Sequence, residues 1–474
     1  GTVTVGKFVL EGRAVSPGDV AFLSMQKQGG ECRVAVAGGQ LNVPSGVTVT
    51  VVSPIEMLVS WDKDSSSTSW FNVYDGDTLL ESTPSGSLRV KGLKTDTEKC
   101  FTVSAYDERG NESLKSPEVC ARVWTKMAVG TVWSEGLNSY GQLGDGTRSD
   151  SRVLVQAEGL EGAVSVSAGV EHTAAVGKDG SIWLWGRNSR GQLGDGTTRG
   201  KTVPRLLEGL KGVKQAALGW YHSLVLLEDG SIRSWGRNYY GQLGDGSRAD
   251  KKAPVATRAL KQVVQVASGW YHSMALKEDG TVWAWGWDIK GQLGNGEEKD
   301  TMVPREVGGL SQVKLVAGGM YHSLALGSDG TVWAWGSNEF GQIGQPLSFA
   351  DSHVPLKVAG SKKIISVEGG MYFSLALDSD GAVWAWGRND YGQLGRDDIT
   401  QSSKPMKVPG LENIKSIAAG AHHAVAMDSE GALWMWGWKY AESRKFAPPH
   451  KVGGLKGITN AAAGVHFTTV LKGR

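Results

Sequence analysis

Apolar and polar positions alternate in short runs along most of the chain, and the runs recur. A strand-like segment, apolar–Trp–x–Trp–Gly, ends at Gly136, Gly186, Gly236, Gly286, Gly336, Gly387 and Gly437, in steps of 50, 50, 50, 50, 51 and 50 residues. Full Trp pairs stand at 183/185, 283/285, 333/335, 384/386 and 434/436, while Trp133 is followed by Glu135 and Arg233 precedes Trp235. Ahead of most of these segments sits Asp-Gly (179/180, 229/230, 279/280, 329/330 and 380/381). Such a dipeptide predicts a two-residue hairpin, because glycine accepts positive φ. Ahead of that runs Gly-x-x-His-(Ser/Thr/Ala), starting at Gly169, Gly219, Gly269, Gly319, Gly370, Gly420 and Gly464, with Phe373 and Phe467 replacing His in two copies. Behind the Trp segments comes Gly-Gln-(Leu/Ile)-Gly at 141–144, 191–194, 241–244, 291–294, 341–344 and 392–395.

Each unit thus predicts an inner strand, an Asp-Gly turn, a Trp strand and a glycine loop, followed by two short apolar strands such as Thr202–Leu206 and Val213–Leu218. Four antiparallel strands in about 50 residues make one propeller blade, and seven copies predict a closed ring. The repeat region opens with a Trp strand that lacks a full inner strand, and closes at His466–Leu471 with an inner strand that lacks a Trp strand. Pairing the two is expected to complete one blade from both ends, removing exposed sheet edges.

Composition agrees with this reading. The chain has 474 residues, of which 67 are Gly and only 14 Pro, which suits turn-rich β structure rather than collagen or a disordered linker. Lys+Arg 50 against Asp+Glu 48 leaves a net charge of +2, without the basic excess of a nucleic-acid binder. No apolar run is long enough to predict a transmembrane helix. Gly1 to Leu10 carries no basic-then-apolar signal layout, and a mature exported fragment would look the same.

The recurrence of Gly-x-x-His-Ser, Asp-Gly-x-Val-Trp-x-Trp-Gly and Asn-x-x-Gly-Gln-Leu-Gly in fixed order over about 126–474 resembles the regulator of chromosome condensation repeat family. The resemblance implies a seven-bladed β-propeller. It is weak for function, since the family includes exchange factors, a plant ultraviolet receptor and bacterial inhibitors of other proteins. Light sensing is not expected: Trp220 and Trp270 match the receptor's Gly-Trp-Arg-His-Thr, but Met320 replaces the third Trp and Tyr stands at the Arg positions. Guanine-nucleotide exchange, which the resemblance ties to an inserted wedge, finds no room in the near-invariant repeat step and ranks below the other readings.

Residues 44–123 have a different texture. Leu58-Val59-Ser60-Trp61, Trp70-Phe71-Asn72-Val73-Tyr74, Gly92-Leu93 and Phe101–Asp107 resemble a fibronectin type III module, a β-sandwich, although Lys99 stands where that family often has tyrosine. On this resemblance Cys100 and Cys120 fall on the last two strands, which form a hairpin. Cys100 alternates with the inward set Phe101, Val103 and Ala105, so a cross-strand disulfide is geometrically feasible, with two buried free thiols as the alternative. Residues 1–43 read as β segments (Thr2–Leu10, Val20–Met25, Cys32–Ala37) of an upstream or accessory module, too short for a core of their own, and Cys32 has no evident partner. The fold expected is therefore all-β: residues 1–43, a sandwich at 44–123, and a propeller at 124–474.

The Trp pairs are expected to be framework, because a blade is apolar on both faces. His172, His222, His272, His322 and His423 sit one per blade without a second ligand at metal spacing, and Phe replaces the residue twice, so they read as core histidines donating to backbone. The Gly-Asp-Gly tracts at 144–146, 194–196 and 244–246 lack the alternating oxygen ligands of calcium loops. No metal or cofactor is expected. No nucleophile elbow, His-Glu-x-x-His or phosphate-cradling loop occurs, which argues against an enzyme.

The informative positions are the two before each His. They read Val170-Glu171, Trp220-Tyr221, Trp270-Tyr271, Met320-Tyr321, Met371-Tyr372, Ala421-His422 and Val465-His466. Large aromatics and Met repeated at one turn of successive blades have the composition of a protein-binding surface. The candidate partner-binding residues are Trp220, Tyr221, Trp270, Tyr271, Met320, Tyr321, Met371, Tyr372 and His422; the alternative is that Trp and Met cover the central channel. Tyr140, Arg190, Tyr240, Lys290, Phe340 and Tyr391, ahead of the glycine loops, are expected on the opposite rim. The function expected is a non-enzymatic bacterial protein, secreted or surface-displayed, that binds another protein through this aromatic face. The competing class is a structural module of a larger exported assembly.

Overall fold

The computed structural model describes residues 23–28, 31–36, 41–53, 56–62, 70–94, 97–107, 110–123, 130–258, 260–360, 363–438, 448–452 and 457–473. The chain divides into two compact units at Thr125/Lys126, and all regular structure among the described residues is β.

In the first unit a three-stranded sheet (Thr48–Ser53, Glu56–Ser60, Ser87–Lys91) and a four-stranded sheet (Thr78–Thr83, Trp70–Asp75, Thr97–Tyr106, Val119–Val123) form a β-sandwich. Met57, Val59, Trp61, Phe71, Val73, Phe101 and Val103 fill its core, one alternate face of each strand, as a pleated strand with one buried side requires. Cys100 lies opposite Cys120 in the hairpin register, and the two are joined by a disulfide. Upstream, Leu23–Gln28 pairs with Glu31–Val36; the first of these starts three residues later than the Val20–Met25 expectation, and Thr2–Leu10 lies outside the described residues.

The second unit contains seven four-stranded antiparallel sheets. One blade runs Ala163–Ala168, His172–Gly177, Ile182–Gly186, Lys201–Leu206 in spatial order, and the next runs Val213–Leu218, His222–Leu227, Ile232–Gly236, Lys251–Ala256. The strand that opens on His, expected as an inner strand, is one of the two inner strands of its blade. It is second from the axis; the innermost strand is the short apolar segment before it, whose free edge lines a central channel. The innermost strands touch in cyclic order, and Ile458–Ala463 contacts both Ile414–Ala419 and Ala163–Ala168, so the ring is closed. The closing blade is composite. Its inner strands, Ile458–Ala463 and Phe467–Lys472, come from the end of the chain, and its outer strands, Val132–Gly136 and Ser151–Gln156, from the start of the repeats. Val132 faces Leu471, and Gly136 faces Phe467 across the seam.

A relay of hydrogen bonds ties each blade to the next and accounts for the repeated motifs. The carbonyl of Gln242, in one Gly-Gln-Leu-Gly loop, accepts from the Trp285 indole N–H (2.9 Å) and from the Ser273 hydroxyl (2.8 Å) of the following blade. Ser273 Oγ, its proton so engaged, lies 3.1 Å from Nε2 of His222 in the preceding blade, so that nitrogen donates. Gln142, Gln192, Gln292 and Gln342 repeat the carbonyl arrangement. The histidines therefore donate to a hydroxyl of the next blade rather than to backbone as expected. Phe373 stands where the following blade offers Ala424 in place of a hydroxyl, so the loss of donor and acceptor coincides. Glycine is required where the loop meets the Trp: Gly194 has φ +73°, and a Cβ there would sit 2.8 Å from Trp235 Nε1.

Candidate functional site

Each His strand is hydrogen-bonded antiparallel to its Trp strand, with His272 opposite Gly286. Antiparallel pairing places the residues before His and those after the Trp-strand glycine at the same end of the sheet. The Trp287 amide accordingly donates to the Tyr271 carbonyl (3.1 Å), and Arg237 does the same to Tyr221 (2.8 Å). The glycine-loop aromatics therefore belong to the same face as the dipeptides before His, not to the opposite rim. Tyr240 lies 5.5 Å from Tyr271, Phe340 5.1 Å from Tyr372, and Tyr391 4.4 Å from His422, measured between ring centroids.

The result is a band of aromatic rings around one face. Trp220 packs on Tyr221 (5.2 Å), Trp270 (4.8 Å) and Tyr271 (5.0 Å). Trp287 links Tyr240 (5.1 Å), Tyr271 (5.2 Å) and Tyr321 (5.3 Å), and Tyr321 stacks on Tyr372 (5.5 Å). A second arc joins Tyr391, His422, His466 and Trp438. Such offset and edge-to-face contacts hold the rings in place without burying them fully. Tyr239, at 61% exposure, and Ile289, at 53%, stand out furthest.

Three arginines interleave with the rings. Arg187 stacks over Tyr140 (4.4 Å) and Tyr221 (4.9 Å) and pairs with Glu171. Arg237 lies 5.6 Å from Tyr271 and 5.8 Å from Tyr221, and Arg388 4.8 Å from Phe340 while paired with Asp390 at 2.6 Å. Burial raises the hydroxyl of Tyr271 above the ordinary phenol range despite Arg237, and pushes Tyr372 up to about 12. Burial also holds His422 and His466 down to about 4. His422 and His466 are therefore neutral at neutral pH, and Arg187, Arg237 and Arg388 are the cations stacked on the rings.

Of the candidates named from sequence, Trp220, Tyr221, Trp270, Tyr271, Tyr321, Tyr372 and His422 come together in this band. Met320 does not take part as a surface anchor: it is 6% exposed. Met371 is half-buried, and Trp270 also lines the channel, so the channel-covering alternative holds in part, for Trp270. Trp287, Trp438 and the arginines were missed. They follow the Trp-strand glycine, and hairpin pairing with the His strand was the signal that could have found them.

The repeated histidines are fully enclosed and held down to about 3 by burial, as at His222 and His272, so they are neutral framework groups. Among the described residues the one group of three potential metal ligands is Glu98 with Cys100 and Cys120, and the disulfide takes both sulfurs.

Known proteins match the propeller. The model of the RCC1-like domain matches residues 131–470. Human WBSCR16 aligns at 25% identity and a TM-score of 0.65, over 73% of this chain and 100% of its own. Prp20p from Saccharomyces cerevisiae, a structure described with that protein's binding to Gsp1p and histones, aligns at 25% identity and 0.65, over 73% and 92%. The same yeast protein in complex with Kap60 shares the fold at 24% identity, over 72% and 89%. No curated protein sequence matches the chain. With the family model covering nearly the whole second unit, the chain belongs to the RCC1-like domain family.

Proposed function

We propose that the chain is a non-enzymatic protein-binding propeller whose aromatic face, the band from Trp220 to Tyr372 with His422, holds a protein partner. The observation that carries this reading is the band itself: rings from successive blades packed against one another, half-buried and interleaved with arginines. Tyr, Trp and Arg give large contact area at low entropy cost and dominate binding energetics at interfaces. Prp20p, of the same fold, is described as binding Gsp1p and histones, which supports a protein as partner but does not name this one. The N-terminal sandwich, read as fibronectin type III-like, would serve as a spacer or dock, and the Cys100–Cys120 disulfide favours an exported, surface or secreted bacterial setting.

Replacing Trp220, Tyr221, Trp270 and Tyr271 together with Ala should abolish capture of the native partner while the chain still folds. A variant that melts like a core mutant, or that retains capture, would remove the face from consideration. Binding should persist in high salt, since aromatic contacts are not screened as exposed charge pairs are. For the export reading, non-reducing mass analysis of protein made in an oxidising compartment should find one free thiol among the three cysteines. Three free thiols would withdraw the argument.

A further inference from the structure

The central channel encloses a cavity of about 450 Å³ lined by the innermost strands of the blades. Its wall is nearly uniform. At the position one before the last residue of these strands stand Ser167, Ala217, Ala267, Ala317, Ala418 and Ala462. The seventh blade has Glu368 there, and it is the only titratable side chain lining the channel among the described residues. The amide side chains of the wall and Ser167 are already engaged between blades. Gln215 accepts from the Val266 amide (3.0 Å), Gln265 bonds both Val316 amide and carbonyl, Asn460 accepts from Val166 (2.8 Å), and Ser167 donates to Ala216 (2.7 Å). The Glu368 carboxyl has no hydrogen-bond or ion-pair partner among the described residues. Two residues beyond it, at Gly370, the chain turns toward the aromatic face, and Trp270 lines that same end of the channel.

We propose that the channel is a binding site for a primary alkylammonium group, with the Glu368 carboxylate as its counter-ion and Trp270 offering a ring face to the cation at the channel end. A half-buried carboxylate on the channel wall without a partner lacks a counter-ion, and an ammonium supplies both the opposite charge and hydrogen-bond donors. An aromatic ring at the entrance adds cation–π attraction. The site shares Trp270 with the aromatic band, but its anchor, Glu368, lies on the channel wall, so substitution of Glu368 tests it without altering the band.

The pH dependence follows. Burial pushes the free carboxyl up to about 8, so at pH 6 it holds a proton that a bound cation must displace, and binding strengthens as pH rises to 9. The histidines behind the flanking innermost strands, His322 and His423, stay neutral, held near 3 by burial. Asp378, on the strand paired with that of Glu368, faces Ile364 at the far end, and Lys314 and Lys415 lie exposed near that end of the flanking strands.

The test is calorimetric titration of the full chain with n-pentylammonium at pH 6 and pH 9, with 1-pentanol as the neutral control. One-to-one saturable binding at pH 9, at least tenfold weaker at pH 6 and at least tenfold weaker in Glu368→Gln, supports the site. Glu368→Ala, the residue five other blades carry, should fold normally and lose binding equally. No saturable binding at pH 9, equal binding of 1-pentanol, or unchanged affinity in Glu368→Gln would overturn it. A second arm uses acetyl-Gly-Lys-Gly-amide: Glu368-dependent binding of this peptide assigns a lysine side chain, and binding of the free amine alone assigns a small amine.

Discussion

Trp285 and Trp287 are two residues apart, yet they belong to different parts of the molecule. Trp285 is fully buried, with its indole N–H on the Gln242 carbonyl of the neighbouring blade. Trp287, one residue past the glycine that ends the strand, packs on Tyr240, Tyr271 and Tyr321 at the edge of the aromatic band. What separates them is whether the polar atom is locked into the blade-to-blade relay and the ring enclosed between sheets. The lesson is that tryptophan count says little here; position relative to Gly286 decides between framework and face.

The comparison can be broken most severely at the seam. Deleting Val465 to Arg474 strips Phe467–Lys472 from the composite blade and leaves Val132–Gly136 without its inner partner. The expected outcome is loss of cooperative unfolding in calorimetry, or aggregation through the bared edge. A soluble truncation with the parent melting transition would show that the ring does not depend on the seam.

Acid should attack the framework through its buried histidines. His172, His222, His272, His322 and His423 are held down to about 3 by burial, against 6.5 when unfolded. A folded pKa below the unfolded one means that the stability is present above pH 6.5 and is lost as pH falls toward 3. Each histidine then costs about 1 kcal/mol by pH 5.5, and the set several kcal/mol. Denaturant titrations from pH 8 to pH 5 should show this decline. A flat profile would mean that the histidines are not enclosed as neutral groups.

Single substitutions sharpen the contrast. Trp285→Ala should cost about 3–5 kcal/mol in urea unfolding, as for other enclosed aromatics. Trp287→Ala should cost about 1 kcal/mol, the scale of its ring contacts. Equal costs would merge the two regions. Trp283, read from sequence as equivalent to Trp285, is half-buried and bonded to Thr281 (3.2 Å), so its removal should fall between them.

The framework was largely legible because each part of it repeats. Trp-x-Trp-Gly, Asp-Gly and the spacing of the His motif are local in sequence, and period two along a strand tells which residues share a face. The relay was not legible in detail: Gln242, Ser273, Trp285 and His222 come from separate motifs and meet only when neighbouring blades pack. The band was half legible. Tyr271 and Tyr321 stood out by repetition, whereas Trp287 and Arg237 vary from blade to blade at their position and were passed over. Glu368 interrupts a row of small residues, a signal visible only after the innermost strand is identified.

A coupling measurement tests the relay itself. Ser273→Ala removes the acceptor of the fully buried His222 Nε2–H, on a ring whose Nδ1 is already without a partner. Leaving a buried donor unsatisfied costs about 1–3 kcal/mol. The protein contains its own remedy at another junction, where Phe373 meets Ala424 and no polar atom is stranded. His222→Phe on the Ser273→Ala background should therefore recover a good part of the loss. A double-mutant cycle in urea should give a coupling of about 1 kcal/mol or more between the two positions. The double variant should also lose one histidine's share of the acid sensitivity. Strict additivity would mean that the His222–Ser273 contact contributes nothing beyond packing, and that Phe373 and Ala424 coincide without cause.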